Sequence, residues 1–256
     1  MTNQPHPAAV ELLDVHRLHL VETAPPRLTQ EQSAAMDRMW EEMTASNPSM
    51  FDGPVVVCAG LDWKDPHTLV LTWYRATYRL YVLRLDPVHA VSAPSVFVSV
   101  AQPTDNGRLL VGRMASSTAA PGRWQLPGGT IEPPSDGALL DLGALRRHAS
   151  RELLEEVGRD VPPDDLSLWA VTRGDKGNIG IHFRAPACSA ATLDHQYAEL
   201  VSVETAQGRT PELDRIAFVR SALDVEHLDG RSVDFLPMLA ARHAAADTPQ
   251  QTDSRR

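Results

Sequence analysis

The chain is poor in the residues that would give it a crosslinked, membrane-borne or nucleic-acid-binding character. It has two cysteines among 256 residues, Cys58 and Cys188, and neither sits in a CxxC pair. A disulfide framework and a cysteine-based zinc site are therefore excluded as organising features. Cys58 lies inside the apolar run "VVVCAG" and reads as a core residue. No apolar stretch reaches the roughly 20 residues that span a bilayer. The opening "MTNQPHPAAVELLDVH" lacks a basic start followed by an apolar run, so no signal peptide is read and the expected location is cytoplasmic. Basic charge is in deficit, with 24 Lys+Arg against 33 Asp+Glu and a formal net charge of -9. That balance argues against a nucleic-acid partner, which needs a basic surface. It does not argue against an anionic ligand bridged by a divalent metal, because the metal brings the positive charge.

What remains is an ordinary globular composition, 43% apolar and 22% charged. Residues 1–28 hold four prolines and little regular pattern, and are expected to be a flexible segment. The tail 247–256 is polar and expected to be disordered. "TQEQSAAMDRMWEEMTASNP" predicts a helix, with Thr29 and Gln32 as a capping box and Met36, Met39, Trp40 and Met43 on one face; Asn47-Pro48 ends it. Runs rich in β-branched and aromatic residues predict strands at 54–59, 68–73, 79–85, 95–102, 108–114, 166–171, 179–185 and 215–219. Asn106-Gly107 marks a hairpin. Helices are predicted near 144–157 and 233–245. Strands interleaved with helices point to a mixed α/β or α+β fold.

The stretch "HASRELLEEVG" places Glu152, Glu155 and Glu156 on one helix face, with Leu153, Leu154 and Val157 turned to the core and Gly158 stopping the helix. Like charges at this spacing cost about 0.2–0.5 kcal/mol per pair, so on its own the cluster reads as a solvated acidic face. "WQLPGGTIE" precedes it. A diphosphate carries dense negative charge, and carboxylates can hold it only through hard cations such as Mg2+, which prefer oxygen ligands.

Together these segments resemble the Nudix hydrolases, whose box reads G-x5-E-x7-R-E-U-x-E-E-x-G-U with U aliphatic. Arg151, Glu152, Leu153, Glu155, Glu156 and Gly158 match the second half of the box, and Trp124, Leu126, Pro127, Gly128, Gly129 and Glu132 match the loop that opens it. Arg151 follows Gly129 by 22 residues, so the loop "PPSDGALLDLG" carries about 8 extra relative to the family spacing. The first box glutamate is absent, with Ser135 or Gly143 in its place, and Arg159 stands at the final aliphatic position.

The resemblance implies a Nudix α/β/α sandwich with a mixed sheet, over about 91–246, preceded by an extension at 29–90 that packs on the core. It implies Mg2+ or Mn2+ held by Glu152, Glu155, Glu156 and the Gly129 carbonyl. Glu156, Glu152 and Glu212 would be the catalytic carboxylates, with Glu199 and Glu204 competing for Glu212's place as general base. Arg151, Gly128 and Gly158 would be structural, and His148 and His182 have no ligand-like spacing. The segment with Asn47, Pro48, Phe51 and Gly53, followed by Leu71, Thr72, Tyr74 and Arg75, is similar to the branch that cleaves UDP-sugars. That second resemblance implies substrate contacts from Tyr74 and Arg75, and UMP and a sugar 1-phosphate as products. The implied partner is a small nucleotide, with a homodimer left open and no nucleic acid or membrane. The alternative is a Nudix module that senses a nucleotide without cutting it.

Overall fold

The computed structural model describes residues 10–47, 50–118 and 120–247. Eleven strands and five α-helices are described, the strands in three sheets. The first sheet runs β1 (Glu11–Leu13), β8 (Ser167–Arg173), β9 (Ile179–Arg184), β5 (Val96–Ala101). Its β1–β8 and β8–β9 pairs are antiparallel and β5–β9 is parallel. The second runs β10 (Leu213–Val219), β6 (Leu109–Met114), β7 (Arg123–Gln125), β11 (Arg231–Ser232). The third runs β2 (Arg17–Glu22), β4 (Thr68–Thr77), β3 (Pro54–Asp65), with β2 parallel to β4. The fold is the expected mixed α/β sandwich. On one side α2 (Leu142–Val157) buries Leu145, Ala149, Leu153 and Val157 against Val96, Val98 and Val100 of β5. Elsewhere α5 (Leu236–Asp247) packs Leu236, Leu239 and Ala240 against Leu109, Val111 and Trp124. Trimming one buried leucine of this kind to alanine costs about 2–5 kcal/mol.

The extension is continuous with this core. Val56, Cys58, Leu69, Leu71 and Trp73 of β3 and β4 share one apolar cluster with Val96, Leu145 and Leu153. Helix α1 (Gln30–Ser46) begins at the capping box foreseen for Thr29 and Gln32, and packs Ala35 and Met36 over Val55, Val57 and Tyr74. Pro48, the expected terminator, lies outside the described residues, as does the tail 248–256; Asn47 caps the helix by donating to the Met43 carbonyl.

Three expectations are corrected. Residues 11–13 and 17–22, within the segment expected to lack regular structure, are strands, because β8 and β4 each offer an open edge to them; residues 1–9 lie outside the described residues. The run 79–85 is a 3-10 helix, Tyr78–Leu85, not a strand. One edge of β4 is taken by β2 and the other by β3, and β3 bonds on its far side to Ile131 and Pro94. The run follows directly on β4, whose two edges are both taken, and tertiary context overrides its β propensity. Leu154 is exposed, not turned to the core. Asn106-Gly107 does turn the chain: Thr104 N–H donates to Arg108 O and Leu110 N–H to Gln102 O. Only Gly107 takes a positive φ, of 74°, and the strands on either side then diverge into different sheets. Helix α3 (Ala190–Ala206) carries no clear sequence signal, since Leu193 is its one fully buried residue.

His182 in β9 is fully buried between Ser99 Oγ at 2.7 Å and Thr172 Oγ1 at 2.8 Å. Burial pushes its pKa down to about 3 from an ordinary 6.5. The folded value lies below the unfolded one, so the full stabilisation is present above pH 6.5 and is lost as pH falls toward 3, while the unfolded chain takes up the proton. We expect His182→Gln, which can still donate and accept, to reduce the loss of stability between pH 7 and pH 4 by about 2–3 kcal/mol. Urea unfolding of both proteins at the two pH values measures this. Carboxylates titrate in both alike, so equal acid losses would show that His182 is not held neutral.

Candidate active site

The site is built where the segment 127–131 runs along β5. Val100 N–H donates to Pro127 O, Val98 N–H to Gly129 O and Ile131 N–H to Val96 O. The last of these residues also ties in the extension, since Val56 N–H donates to Ile131 O. Gly128 has φ 153° and lies against Val98 O and Ser99, where no Cβ would fit. A Cβ on Gly129 would stand 2.6 Å from Glu152 Oε2. The two glycines thus let the backbone descend onto the carboxylate face of α2. The Gly129 carbonyl already accepts from Val98, which leaves it one lone pair for a further ligand.

Helix α2 starts at Asp141, whose side chain accepts from Ala144 N–H at 2.7 Å, and stops at Gly158, whose left-handed φ of 75° closes the last turn. Of the three clustered glutamates, Glu156 turns inward and is buried. Gly128 N–H donates to its Oε2 at 2.8 Å. Its Oε1 is buried without a hydrogen-bond partner. Burial holds the Glu156 carboxyl well above the usual carboxylate range; Glu212, Glu152 and Glu155 push the same way, and the Gly128 N–H opposes them. Glu212, just before β10, is also raised, by partial burial first and then by Glu152 and Glu155. Its carboxylate stands at the solvent rim. Glu152 is mostly covered, and its Oε1 lies 2.9 Å from His148 Nε2. Glu155 stays open to solvent beside Arg151, at 3.8 Å.

Four carboxylates therefore lie near enough to disfavour charge on one another beside a glycine turn, with one buried oxygen unsatisfied. Oxygen donors of this kind fit a hard divalent cation such as Mg2+ or Mn2+, whose charge would relieve both the repulsion and the orphaned oxygen. The turn opens into a cleft of ≈ 540 Å3 lined by Gly128, Gly129 and Glu212. Three cations, Arg84, Arg123 and Lys176, stand on its walls, and Phe97 and Phe235 stack 5.3 Å apart beside it.

The remaining expected residues are distributed otherwise. Arg151 does not reach the loop; it lies along its own helix, against Glu152 at 3.5 Å, Glu155 and His148. Tyr74 is buried under α1, away from the cleft. Arg75 donates to Glu22 Oε1 and to Pro134 O, both at 2.6 Å, and lies 3.9 Å from Asp136. Neither residue lines this cleft: Tyr74 fills a core and Arg75 braces the enlarged loop. Glu204 is locked to Arg209, and Glu199 pairs with exposed His195. Both line the α2–α3 groove, not the main cleft. Sequence reasoning missed His148 as Glu152's partner, although the i,i+4 spacing was there to read. It also missed Arg84, Arg123 and Lys176, which carry no local signal.

A mixed α/β sandwich with a carboxylate helix docked under a diglycine turn is the architecture of the class foreseen from the motif. Residues 92–235, more than half of the chain, match the family described as the NUDIX domain, and the chain belongs to that family. Among curated proteins no match is found. Solved structures similar to the chain include a MutT protein from Methanosarcina mazei Go1, at 18% identity and TM-score 0.42, over 62% of this chain and 99% of that one. A NUDIX hydrolase from Nitrosomonas europaea shows 16% identity and TM-score 0.35, over 60% and 89%. Shewanella oneidensis NrtR shows 16% and 0.38, over 59% and 62%. The family assignment rests on the domain match and not on these distant likenesses.

The two glycines make separable demands. Gly128→Ala meets backbone and should lower stability by about 2–4 kcal/mol, read from denaturant melts. Gly129→Ala meets only the movable end of Glu152, so it should fold normally yet bind Mn2+ at least about tenfold more weakly by calorimetry. Equal Mn2+ affinity in folded Gly129→Ala and the parent would show that Glu152 does not need this close approach.

Proposed function

We propose that the protein hydrolyses the phosphoanhydride of a nucleoside diphosphate linked to another group, using Mg2+ or Mn2+ held by Glu152, Glu155 and Glu156. The observation that carries the reading is the buried, unpartnered oxygen of Glu156, whose charge three further carboxylates disfavour, held behind Gly128 in the wall of a cleft that also carries Arg84, Arg123 and Lys176. When bound, the cation supplies positive charge against the diphosphate and acidifies water. The protein's own groups do the rest. Gly128 N–H orients Glu156, and His148 orients Glu152. Arg84, Arg123 and Lys176 receive phosphate oxygens from the walls. Glu212, standing at the rim between the cleft and the carboxylates, takes the proton from the attacking water. It is favoured over Glu199 and Glu204 because it alone of the three lines this cleft.

Residues 91–246 are proposed as the catalytic unit and 29–90 as an extension that shares its core and supplies Arg84. A UDP-sugar is the first substrate to test, on the strength of the residues at 47–53 and 71–75. Tyr74 and Arg75 support this as parts of the extension's scaffold and not as contacts.

Product analysis with UDP-glucose, ADP-ribose and related compounds, with and without Mg2+, tests the reading. Glu156→Gln and Glu152→Gln should each lower turnover by about 100-fold or more, and Glu212→Gln by about 100-fold. Metal-dependent release of UMP and sugar 1-phosphate would support the UDP-sugar reading. Tight, metal-insensitive nucleotide binding without turnover across the panel would replace the enzyme with a sensing module.

A further inference from the structure

A second group of metal-ligating side chains lies in the extension, outside the carboxylate cleft. Val15 is buried, so its neighbours Asp14 and His16 both turn outward onto one face. The β2–β4 pairing aligns Arg17 with Thr68, which sets His16 beside His67 at the tip of the β3–β4 hairpin. The two backbones are tied there: His16 and Arg17 N–H both donate to the His67 carbonyl, at 2.9 and 3.0 Å. The imidazoles lie 4.3 Å apart and nearly parallel, at 8°. Asp14 sits across both, 3.7 Å from His16 Nε2 and 3.6 Å from His67 Nδ1, and the three ligand atoms all lie within 4.8 Å of one another.

We propose that Asp14, His16 and His67 bind a borderline transition-metal ion, Zn2+, Ni2+ or Cu2+, as a three-ligand surface site with solvent in the remaining positions. Bonds of about 2.1 Å at the tetrahedral angle place ligand atoms about 3.4 Å apart. The two aspartate–histidine separations, 3.7 and 3.6 Å, are within a few tenths of an ångström of that spacing, and the two imidazole nitrogens lie within 4.8 Å of each other. Stacked rings do not yet aim their lone pairs at one point, but all three side chains are exposed and a small rotation of either ring converges them. Two imidazoles and one carboxylate suit these ions, whereas Mg2+ prefers an all-oxygen shell and keeps its waters. The chemistry therefore separates this site from the glutamate cluster. An ion here would join two segments 51 residues apart in sequence, the β1–β2 link and the hairpin tip. It would clip the N-terminal strands to the sheet.

The test uses the untagged full chain in excess Mg2+, which keeps oxygen sites occupied. Ni2+ and Zn2+ are titrated by calorimetry and melting temperature is followed, with Co2+ as a visible-absorption probe. One equivalent is expected to bind and raise the melting temperature, and Co2+ is expected to show an absorption band. The double variant His16→Ala/His67→Ala should lose at least tenfold in affinity together with both signals, while its unliganded circular dichroism and its Mg2+-dependent turnover stay as in the parent. Glu156→Gln should retain the binding. If the histidine variant binds Ni2+ and Zn2+ as the parent does, or the parent binds neither, the cluster is only a pair of histidine–aspartate contacts and the proposal fails. Neither result bears on hydrolysis at the carboxylate cleft.

Discussion

The hydrogen bond from Gly128 N–H to Glu156 is the interaction on which the rest of the site depends. It joins the one helix that carries the carboxylates to the one loop that lets backbone approach them. It also leaves a carboxylate buried with its second oxygen unsatisfied, an arrangement that a folded chain tolerates only when something else completes it. Burial and three neighbouring carboxylates both disfavour charge on Glu156, and a cation reverses both effects at once. The carboxylate cluster behind the glycine turn is therefore set up around a missing positive charge, whereas the cleft's walls carry cations of their own in Arg84, Arg123 and Lys176, beside Asp175 and Asp234.

Holding that loop falls partly to residues outside the matched domain. The loop between the diglycine turn and α2 is longer than the family spacing and has no glutamate at the expected place. Arg151, the motif's own cation, stays on its helix. Arg75 from β4 instead grips the Pro134 carbonyl, backed by Glu22 from β2, while Val56 of β3 holds Ile131 at the loop's start. The third sheet thus works as a brace as well as an appendage, and its core is the same core that carries α2. An arginine bond to a charge or carbonyl in a partly covered setting is among the stronger polar contacts, so the two that Arg75 makes fix the loop firmly.

Local patterns foretold the elements whose side chains answer to neighbours a few residues away. The capping box at Thr29, the stop at Gly158 and the apolar face of α1 are all of this kind. The run 79–85 shows where such reasoning ends: its composition suits a strand, but the neighbouring β4 is already paired on both sides and the run packs against α1 instead. Helix α3 was invisible for the opposite reason, since a helix lying on the surface with one buried leucine leaves little periodicity to read.

The family, the mixed α/β class and the identity of the helix carboxylates were determined by the sequence itself, because the motif concentrates them within a few turns of one helix and one adjacent loop. Tertiary structure alone decided which glutamate is buried, that Glu212 joins from beside a strand more than fifty residues away, and that Tyr74 and Arg75 serve the scaffold. It alone brought Arg84, Arg123 and Lys176 to one cleft, and His16 to His67. The reason is common to all of these: burial and charge proximity are properties of what surrounds a side chain, and those surroundings come from segments that only folding brings together.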